Sequence, residues 1–208
     1  MDDRAHFGYG TGGSDTLATL NTKVQTDYMR FYNGAKLKIA SGGFLESDSV
    51  IYMGYEAGSA FMTIDGGIYS NALQNSSSGV IRMGYAAGSD TTITIDHGGM
   101  LIAHNIYASY NASGTGVVHI INGTINLTNS GAINTVIALD ASGTIEIGRY
   151  GTLILCNDVG TWLKGHYIAD GYLYGKDGAD LVATYNAGEN KTYITLTPPP
   201  QGTLICIY

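Results

Sequence analysis

One phrase occurs twice in this chain and decides its fold. Residues 51–69 read IYMGYEAGSAFMTIDGGIY, and residues 81–101 read IRMGYAAGSDTTITIDHGGML. Apolar and polar residues alternate in short bursts within each copy, which is typical of half-buried strands and not of helices. Each copy then reaches a pair of glycines, where a turn with positive φ costs little. The phrase therefore indicates short strands joined by tight turns.

Shorter matches extend the repeat in both directions. KLKIASGGFLES begins at Lys36, VVHIINGTINL at Val117 and TIEIGRYGTLIL at Thr144. One isoleucine anchors each of five copies, at spacings of 25, 31, 25 and 27 residues: Ile39, Ile64, Ile95, Ile120 and Ile147. A period of this length is typical of a solenoid, in which each repeat is one supersecondary unit. Two or three strands of about five residues fill such a period together with their turns.

The sequence thus predicts an all-β fold, a right-handed parallel β-helix in which strands of successive repeats pair about 4.8 Å apart. A β-sandwich is the competing all-β fold, but it does not require a repeated phrase. Alternation along the strands predicts ten inward side chains: Ile51, Met53, Ile64, Ile81, Met83, Ile95, Ile106, Ile120, Ile145 and Ile147.

The character of the sequence changes after Cys156. Residues 158–197 contain the single Trp, several Tyr and two hairpin signals, at residues 176–178 and 186–188. Because a solenoid needs a terminal cap, we interpret this segment as a small C-terminal β cap. The expected organisation is an N-terminal arm with the first strand (1–33), β-helix repeats (34–157), the cap (158–197), and a linker with a terminal strand (198–208).

The phrase G-Y-x-A-G-S, followed by T-I and a glycine pair, resembles the β-helical repeats of autotransporter passengers and of related secreted bacterial surface proteins. The resemblance covers residues 36–155, a little over half of the chain. It implies a β-helical fold and an extracellular or cell-surface location. Since MDDRAHFGYGTGGSD lacks the basic and apolar regions of a secretory signal, we expect the signal peptide to be absent from this chain. Adhesins, enzymes and passive stalks all use this fold, so the resemblance does not select a function.

The charge balance argues against two classes of partner. The chain has 10 basic and 17 acidic residues, for a formal net charge of −7, and the basic residues are scattered. Binding to nucleic acid is therefore not expected. No run of eighteen apolar residues occurs, so membrane insertion is not expected either. Cys156 and Cys206 are too few for a disulfide framework, and one bridge or two thiols both remain open.

Two carboxylates, Asp65 and Asp96, occupy equivalent places before the glycine turn. On adjacent strands they would lie close enough to share a Ca²⁺ ion or a proton. With Arg82 or His97 as the basic partner, they are the candidate catalytic residues of a polysaccharide lyase or hydrolase. Ordinary turn chemistry is the alternative, in which an Asp before Gly accepts backbone N–H bonds. No other metal, nucleophile or phosphate motif is present, so no cofactor besides calcium is expected.

A second set of candidates for ligand binding is aromatic: Tyr52, Tyr55, Tyr85, Tyr107 and Tyr110. Tyr52 and Tyr107 alternate with inward residues and should point outward. The glycine or serine before the other three leaves their direction open between the surface and the core. Facing solvent, such rings would form a flat aromatic strip on which sugar rings can stack.

These observations favour a non-catalytic extracellular β-solenoid, a structural or adhesive surface module that works by glycan contact or by self-assembly into oligomers or fibres. An incompletely capped solenoid end leaves strand edges that invite a second copy. The alternative is a polysaccharide lyase or hydrolase that uses carboxylates on adjacent strands. A third hypothesis is ice binding or an inert stalk, with Thr91, Thr92 and Thr94 as the candidate ice-facing residues. The expected partner is therefore a second copy of the chain or an extracellular glycan.

Overall fold

The computed structural model describes residues 4–8, 17–71, 79–111 and 113–197. Within these ranges the chain is mostly β and forms three sheets, which we call A, B and C. The strands are parallel except at one end of sheet C. The helices among the described residues are all too short or too polar to cross a membrane.

Each sheet takes its strands from widely separated parts of the chain, and neighbours within a sheet are hydrogen-bonded. Sheet A consists of β1 Arg4–Phe7, β4 Tyr28–Phe31, β7 Ile51–Met53, β10 Val80–Arg82, β13 Asn105–Tyr107 and β16 Ile137–Ala138. Sheet B consists of β2 Leu17–Leu20, β5 Lys36–Ala40, β8 Gly58–Asp65, β11 Ser89–Asp96, β14 Thr115–Ile120, β17 Gly143–Ile147 and β19 Leu173–Gly175. Sheet C consists of β3 Lys23–Thr26, β6 Phe44–Ser47, β9 Ile68–Ser70, β12 Gly99–Ala103, β15 Gly123–Leu127, β18 Thr152–Cys156, β21 Lys191–Leu196 and β20 Leu181–Asn186.

From β1 to β18 the chain supplies strands to sheets A, B and C in strict rotation. We call each set of three consecutive strands, from β1–β3 to β16–β18, a triplet. The two copies of the repeated phrase pair across adjacent triplets, with Ile64 opposite Ile95 and Asp65 opposite Asp96. Three parallel-dominated sheets built from these repeats are compatible with the predicted all-β solenoid.

Alternation along the strands buries one set of side chains in a single core. All ten residues that the sequence places inward have no exposed surface, which confirms this prediction. Burying an Ile or Met side chain stabilises the fold by about 1.5–3 kcal/mol, so this column of isoleucines and methionines is a large part of the stability. The polar residues between them face outward and are at least partly exposed along most of each strand.

The two glycines of the repeated phrase are each required for a different structural reason. Gly98 has φ of +78°, in the left-handed region, while a Cβ placed on it would meet nothing within 4 Å. Gly99 has an ordinary φ, but a Cβ there would lie 2.4 Å from the backbone oxygen of Ile64 in the preceding triplet. The same close approach, at 2.5 Å from a backbone oxygen, holds for Gly43, Gly67 and Gly123. The first glycine therefore makes the turn, and the second lets adjacent triplets pair.

The N-terminal region contributes more strands than the sequence predicts. Four strands, β1 to β4, lie within residues 1–33, where an arm with one strand is expected. They pair in parallel with the strands of later triplets. The triplet β1–β3 lacks the glycine-pair phrase, so a search for the repeat does not reveal it. The predicted linker and terminal strand at 198–208, with Cys206, lie outside the described residues.

Residues 158–197 extend two of the sheets. β19 adds to sheet B in parallel with β17, and β21 and β20 add to sheet C in antiparallel order. Helix α1, Ile133–Val136, precedes β16, while helix α2, Gly160–Leu163, continues into a π-helical turn, Lys164–Ile168. The hydroxyl of Tyr167 in this turn donates to the backbone oxygen of Ile137, 2.7 Å away, and so ties the segment to sheet A.

Only one of the two predicted hairpins is present. Residues 186–188 join the antiparallel strands β20 and β21, which confirms the hairpin predicted there. Residues 176–178 form a 3₁₀ turn that leads from β19 in sheet B to β20 in sheet C, so the hairpin predicted at 176–178 is wrong. Asp177 and Gly178 adopt positive φ there, which is the same local chemistry as a hairpin turn. The turn residues are thus recognised correctly, but they do not determine which sheet the next strand joins.

Candidate functional site

The outer face of sheet A carries a column in which arginine and tyrosine alternate. Backbone pairing places Arg30 opposite Tyr52, Tyr52 opposite Arg82, and Arg82 opposite Tyr107. We call these four residues the arginine–tyrosine column. Their neighbours along each strand, such as Ile51 and Ile81, are fully buried, so the column faces outward, as predicted for Tyr52 and Tyr107.

Tyr55, Tyr85 and Tyr110 form a second row beside this column, which we call the tyrosine ladder. The backbone N–H of Tyr55 donates to Phe31 and that of Tyr85 to Met53, each in the preceding triplet, at 2.8 and 3.2 Å. Tyr55 and Tyr85 are partly exposed, and Tyr110 is 43% exposed. None of the three belongs to the buried core. The direction that the sequence leaves open is therefore outward.

The rings of the tyrosine ladder stack on one another. The centroids of Tyr55 and Tyr85 are 5.2 Å apart with planes 4° from parallel, and those of Tyr85 and Tyr110 are 5.3 Å apart at 12°. Paired strands lie about 4.8 Å apart, which is within the separation that offset aromatic stacking prefers, so equivalent tyrosines stack readily. Most of the ring faces are thus covered by other rings. The ladder therefore offers ring edges and hydroxyl groups, and not the open flat strip that was one of the two alternatives left by the sequence.

Two arginines are held between these rings. The guanidinium carbon of Arg30 lies 4.1 Å from the ring centroid of Tyr55 and 4.8 Å from that of Tyr28. That of Arg82 lies 4.6 Å from Tyr110 and 5.4 Å from Tyr52, whose hydroxyl accepts a hydrogen bond of 3.3 Å from Nη1 of Arg82. Cation–π contacts of this kind contribute about 0.5–2 kcal/mol each. They also restrict the side chains, so each guanidinium is presented in one orientation.

Among the described residues, neither Arg30 nor Arg82 forms an ion pair. The Nε atom of each is buried without a hydrogen-bond partner, as is the hydroxyl of Tyr28. The strands of sheet A contain three of the four arginines and no Asp or Glu, although acidic residues outnumber basic ones by 17 to 10 in the whole chain. The strands of sheet A therefore concentrate arginine side chains without an acidic residue of their own, on a protein that is acidic overall.

A cavity of about 390 Å³ opens beside the first strands of sheet A. Six residues line it: Arg4, Asp27, Tyr28, Arg30, Ser49 and Tyr52. Its volume lies within the range of about 300–1,000 Å³ that is usual for ligand pockets. Except for Tyr52, the sequence does not single out these residues, because they precede the repeated phrase or lie between its copies. The signal that could identify them is the parallel between YMRF at Tyr28–Phe31 and IYMGY at Ile51–Tyr55.

The two predicted carboxylates do come together, on sheet B. Asp65 and Asp96 are paired on β8 and β11. Asp65 forms an ion pair with Lys38 Nζ and a hydrogen bond of 2.6 Å with Nδ1 of His97. The hydrogen bond from Lys38, and then that from His97, lowers the pKa of Asp65 below its ordinary value of 3.8. Asp96 instead accepts a 2.8 Å hydrogen bond from the backbone N–H of His97, which is the turn chemistry that competes with a catalytic role.

Arg82 does not join these carboxylates. It lies in sheet A against Tyr52 and Tyr110, whereas Asp65 and Asp96 belong to sheet B. Of the two basic partners considered from sequence, only His97 contacts the pair. In the described ranges, no three or more His, Cys, Asp or Glu side chains are placed to hold a metal ion, and calcium binding at Asp65 and Asp96 stays a prediction.

One candidate ice-facing threonine is turned inward. Thr91 has no exposed surface, and its hydroxyl donates to the backbone oxygen of Thr115 at 2.8 Å and accepts from the N–H of Gly84 at 3.1 Å. Thr92 and Thr94 do not belong to the buried core. The three threonines therefore do not form one surface.

Comparisons with models of known protein families, with curated proteins and with solved structures found no match to this chain. The class of protein that the fold defines is thus a β-rich repeat protein with parallel-dominated sheets. Its site is described by its own geometry alone, and its most distinctive surface is the outer face of sheet A.

Proposed function

We propose that this chain is a right-handed parallel β-helix, in which each triplet is one turn and residues 158–197 are the C-terminal cap. Its function is that of a non-catalytic extracellular surface module that adheres to glycans through the outer face of sheet A. The rotation of strands through three sheets supports the fold, because a chain that winds once per triplet visits the sheets in that order. The resemblance of its repeats to those of autotransporter passengers supports the extracellular or cell-surface location.

The single observation that carries this proposal is the pairing of the arginine–tyrosine column with the tyrosine ladder. Hydroxyl and guanidinium groups are the hydrogen-bond partners that sugar hydroxyl and acidic groups require. On this surface the guanidinium groups lie on a sheet, and contacts with tyrosine rings restrict them, with 4.1 to 5.4 Å between each guanidinium carbon and the ring centroids. Preorganised donors lose little conformational entropy when a ligand binds.

Self-assembly is the second candidate, and a separate observation favours it. Among the described residues, β1, β2 and β3 each pair on one side only, and Leu17 on β2 is 53% exposed. An open strand edge with an exposed apolar residue is a template for pairing with another chain. A second copy that adds its own strands at this edge would give the oligomers or fibres expected from the sequence.

The adhesive proposal is tested on an array of neutral and acidic glycans. Wild-type protein is compared with Tyr85→Leu, which removes the central ring of the ladder, and with Tyr150→Leu, which alters a ring that is 64% exposed outside sheet A. We expect binding by the wild type and by the Tyr150 variant, and weaker binding by the Tyr85 variant. If the wild-type protein binds none of the glycans on the array, the proposal is refuted.

Light scattering over a range of protein concentrations tests self-assembly. Growth of the particle with concentration, abolished by Leu17→Lys on the open edge, is the expected result. A monomer at every concentration would rule assembly out and leave the adhesive proposal unaffected.

A further inference from the structure

The cavity at the first strands of sheet A has the chemistry of a site for an anion. Its lining residues include the guanidinium groups of Arg4 and Arg30 and the hydroxyls of Tyr28 and Tyr52. The guanidinium of Arg30 makes no hydrogen bond or ion pair with the described residues, and the hydroxyl of Tyr28 is buried without a partner. Leaving such groups unsatisfied is costly, and a ligand that accepts their hydrogen bonds would remove that cost.

We propose that this cavity is an anchoring subsite for the acidic sugar residues of an anionic polysaccharide. The proposal rests on the proposed glycan-binding function and names its ligand class. A carboxylate or sulfate group of the sugar accepts two parallel hydrogen bonds from the guanidinium of Arg30, which is the geometry that guanidinium groups favour. Asp27, at the same cavity, accepts a hydrogen bond from a sugar hydroxyl.

The arginine–tyrosine column extends this subsite across the sheet. Arg30 and Arg82 are two paired strands apart, with Tyr52 between them. Two strand spacings correspond to about 9–10 Å. A pyranose unit with its linkage spans roughly one strand spacing, so a polysaccharide lying across the strands places two sugars, with one sugar between them, at Arg30 and Arg82. An acidic polymer thus contacts both arginines, while a neutral polymer leaves both without a charged partner.

Tyrosine stacking explains why charge and not ring contact selects the ligand. The faces of Tyr55 and Tyr85 cover each other at 5.2 Å, so a sugar ring cannot lie on them. What the surface presents is edges, hydroxyls and guanidinium groups. A nucleic acid could present its phosphates to the same guanidinium groups, but the basic residues of the chain are scattered and form no continuous track for a phosphate backbone.

Matched polymers separate charge from saccharide chemistry. Binding of the full chain is measured by isothermal titration calorimetry with polygalacturonate and its methyl ester, and with dextran sulfate and dextran. Single-stranded DNA serves as a competitor. We expect an acidic polymer to bind, its neutral counterpart to bind at least tenfold more weakly, and added NaCl to weaken the acidic interaction. The polymer pair that shows this difference identifies carboxylate or sulfate as the recognised group.

Three arginine variants locate the interaction. Arg30→Gln and Arg82→Gln remove a guanidinium from sheet A, whereas Arg149→Gln removes one that lies 5.3 Å from the ring of Tyr150 outside that sheet. Loss of a charged hydrogen-bond partner lowers affinity by about tenfold or more, so the first two variants should bind the acidic polymer at least tenfold more weakly. The Arg149 variant should bind as the wild type does.

Tyr28→Phe keeps the test valid should an arginine variant fail to fold, because it removes only the unpartnered hydroxyl. It should weaken binding of the acidic polymer by severalfold without loss of folded protein. Equal affinity for acidic and neutral polymers, or unchanged affinity in the folded Arg30 and Tyr28 variants, would overturn the subsite and leave glycan binding standing. Absence of binding to every saccharide would defeat both proposals. Tighter binding of DNA than of any saccharide would refute the assignment to a polysaccharide.

Discussion

The two glycines of the repeated phrase offer the sharpest test of how the triplets fit together. Gly98→Ala places a side chain in open space but at φ of +78°, while Gly99→Ala places one at an ordinary φ but 2.4 Å from the backbone oxygen of Ile64. Gly165→Ala is the matched control, since its φ is ordinary and a Cβ there would meet nothing within 4 Å. The three variants make the same chemical change in three different environments.

The structure gives each variant a different expected cost. An alanine in the left-handed region costs about 1–2 kcal/mol, which is the expected loss for Gly98→Ala. Gly99→Ala forces β12 away from the preceding triplet. Overpacking costs about 1–3 kcal/mol and occasionally more, and we expect the upper end here, about 3 kcal/mol or more, because the atom that the new Cβ meets is backbone. Gly165→Ala should be neutral or stabilise by up to about 1 kcal/mol, because it only restricts the unfolded chain.

Thermal unfolding followed by circular dichroism measures these differences. For a chain of this size, 1 kcal/mol shifts Tm by about 2–4 °C. The expected decreases are thus about 2–8 °C for Gly98→Ala and about 6–12 °C or more for Gly99→Ala. A Tm for Gly99→Ala equal to or above that of Gly98→Ala would refute the close approach of adjacent triplets. A large loss for Gly165→Ala would show that alanine is harmful for reasons unrelated to pairing.

Three further predictions concern the surface. Tyr85→Leu should lower the free energy of unfolding by about 1–3 kcal/mol in urea denaturation, because two stacked pairs are lost. The control Tyr150→Leu should change it by less than about 0.5 kcal/mol. Equal losses in the two variants would mean that stacking contributes nothing. Asp65→Asn should lower Tm at neutral pH, and this difference from the wild type should disappear as the pH falls below 3.8. The reason is that a carboxyl whose pKa is lowered in the folded protein stabilises the fold only while it is ionised. A difference in Tm that persists in acid would contradict the ion pair. Tyr28→Phe should leave the free energy of unfolding unchanged or raise it by up to about 1 kcal/mol, and a clear loss would reveal a hydrogen bond to that hydroxyl.

The strands and the core were largely predictable from sequence because alternation is a local property. The alternation in Thr63-Ile64-Asp65 indicates which residue points inward without reference to any other strand. Every residue that was predicted to point inward is buried. The copies of the repeated phrase also allowed Asp65 and Asp96 to be placed side by side, since equivalent residues pair when repeats are in register. The turn at Lys176–Gly178 was misread as a hairpin because local turn chemistry does not select the sheet of the next strand.

The candidate site depended on information that no single segment contains. Arg30 and Tyr28 lie on β4, outside the copies of the repeated phrase, and only the short parallel between YMRF and IYMGY connects them to Tyr52 and Tyr55. The stacking of the tyrosine ladder required ring orientations, which follow from side-chain packing and not from spacing. For that reason the sequence left open whether these rings face a ligand or the core, while the structure presents ring edges and charges at the surface.

By itself, then, the sequence determined the short strands, the glycine turns, the inward residues and the pairing of equivalent positions. Only the tertiary structure decided which residues of different repeats meet on the surface. Arg82 is 14 residues from Asp96 in the chain but lies in a different sheet, whereas His97 contacts Asp65 from 32 residues away. The physical reason is that backbone pairing aligns the strands, while the loops between them vary in length. Distance along the chain therefore says little about which side chains share a face.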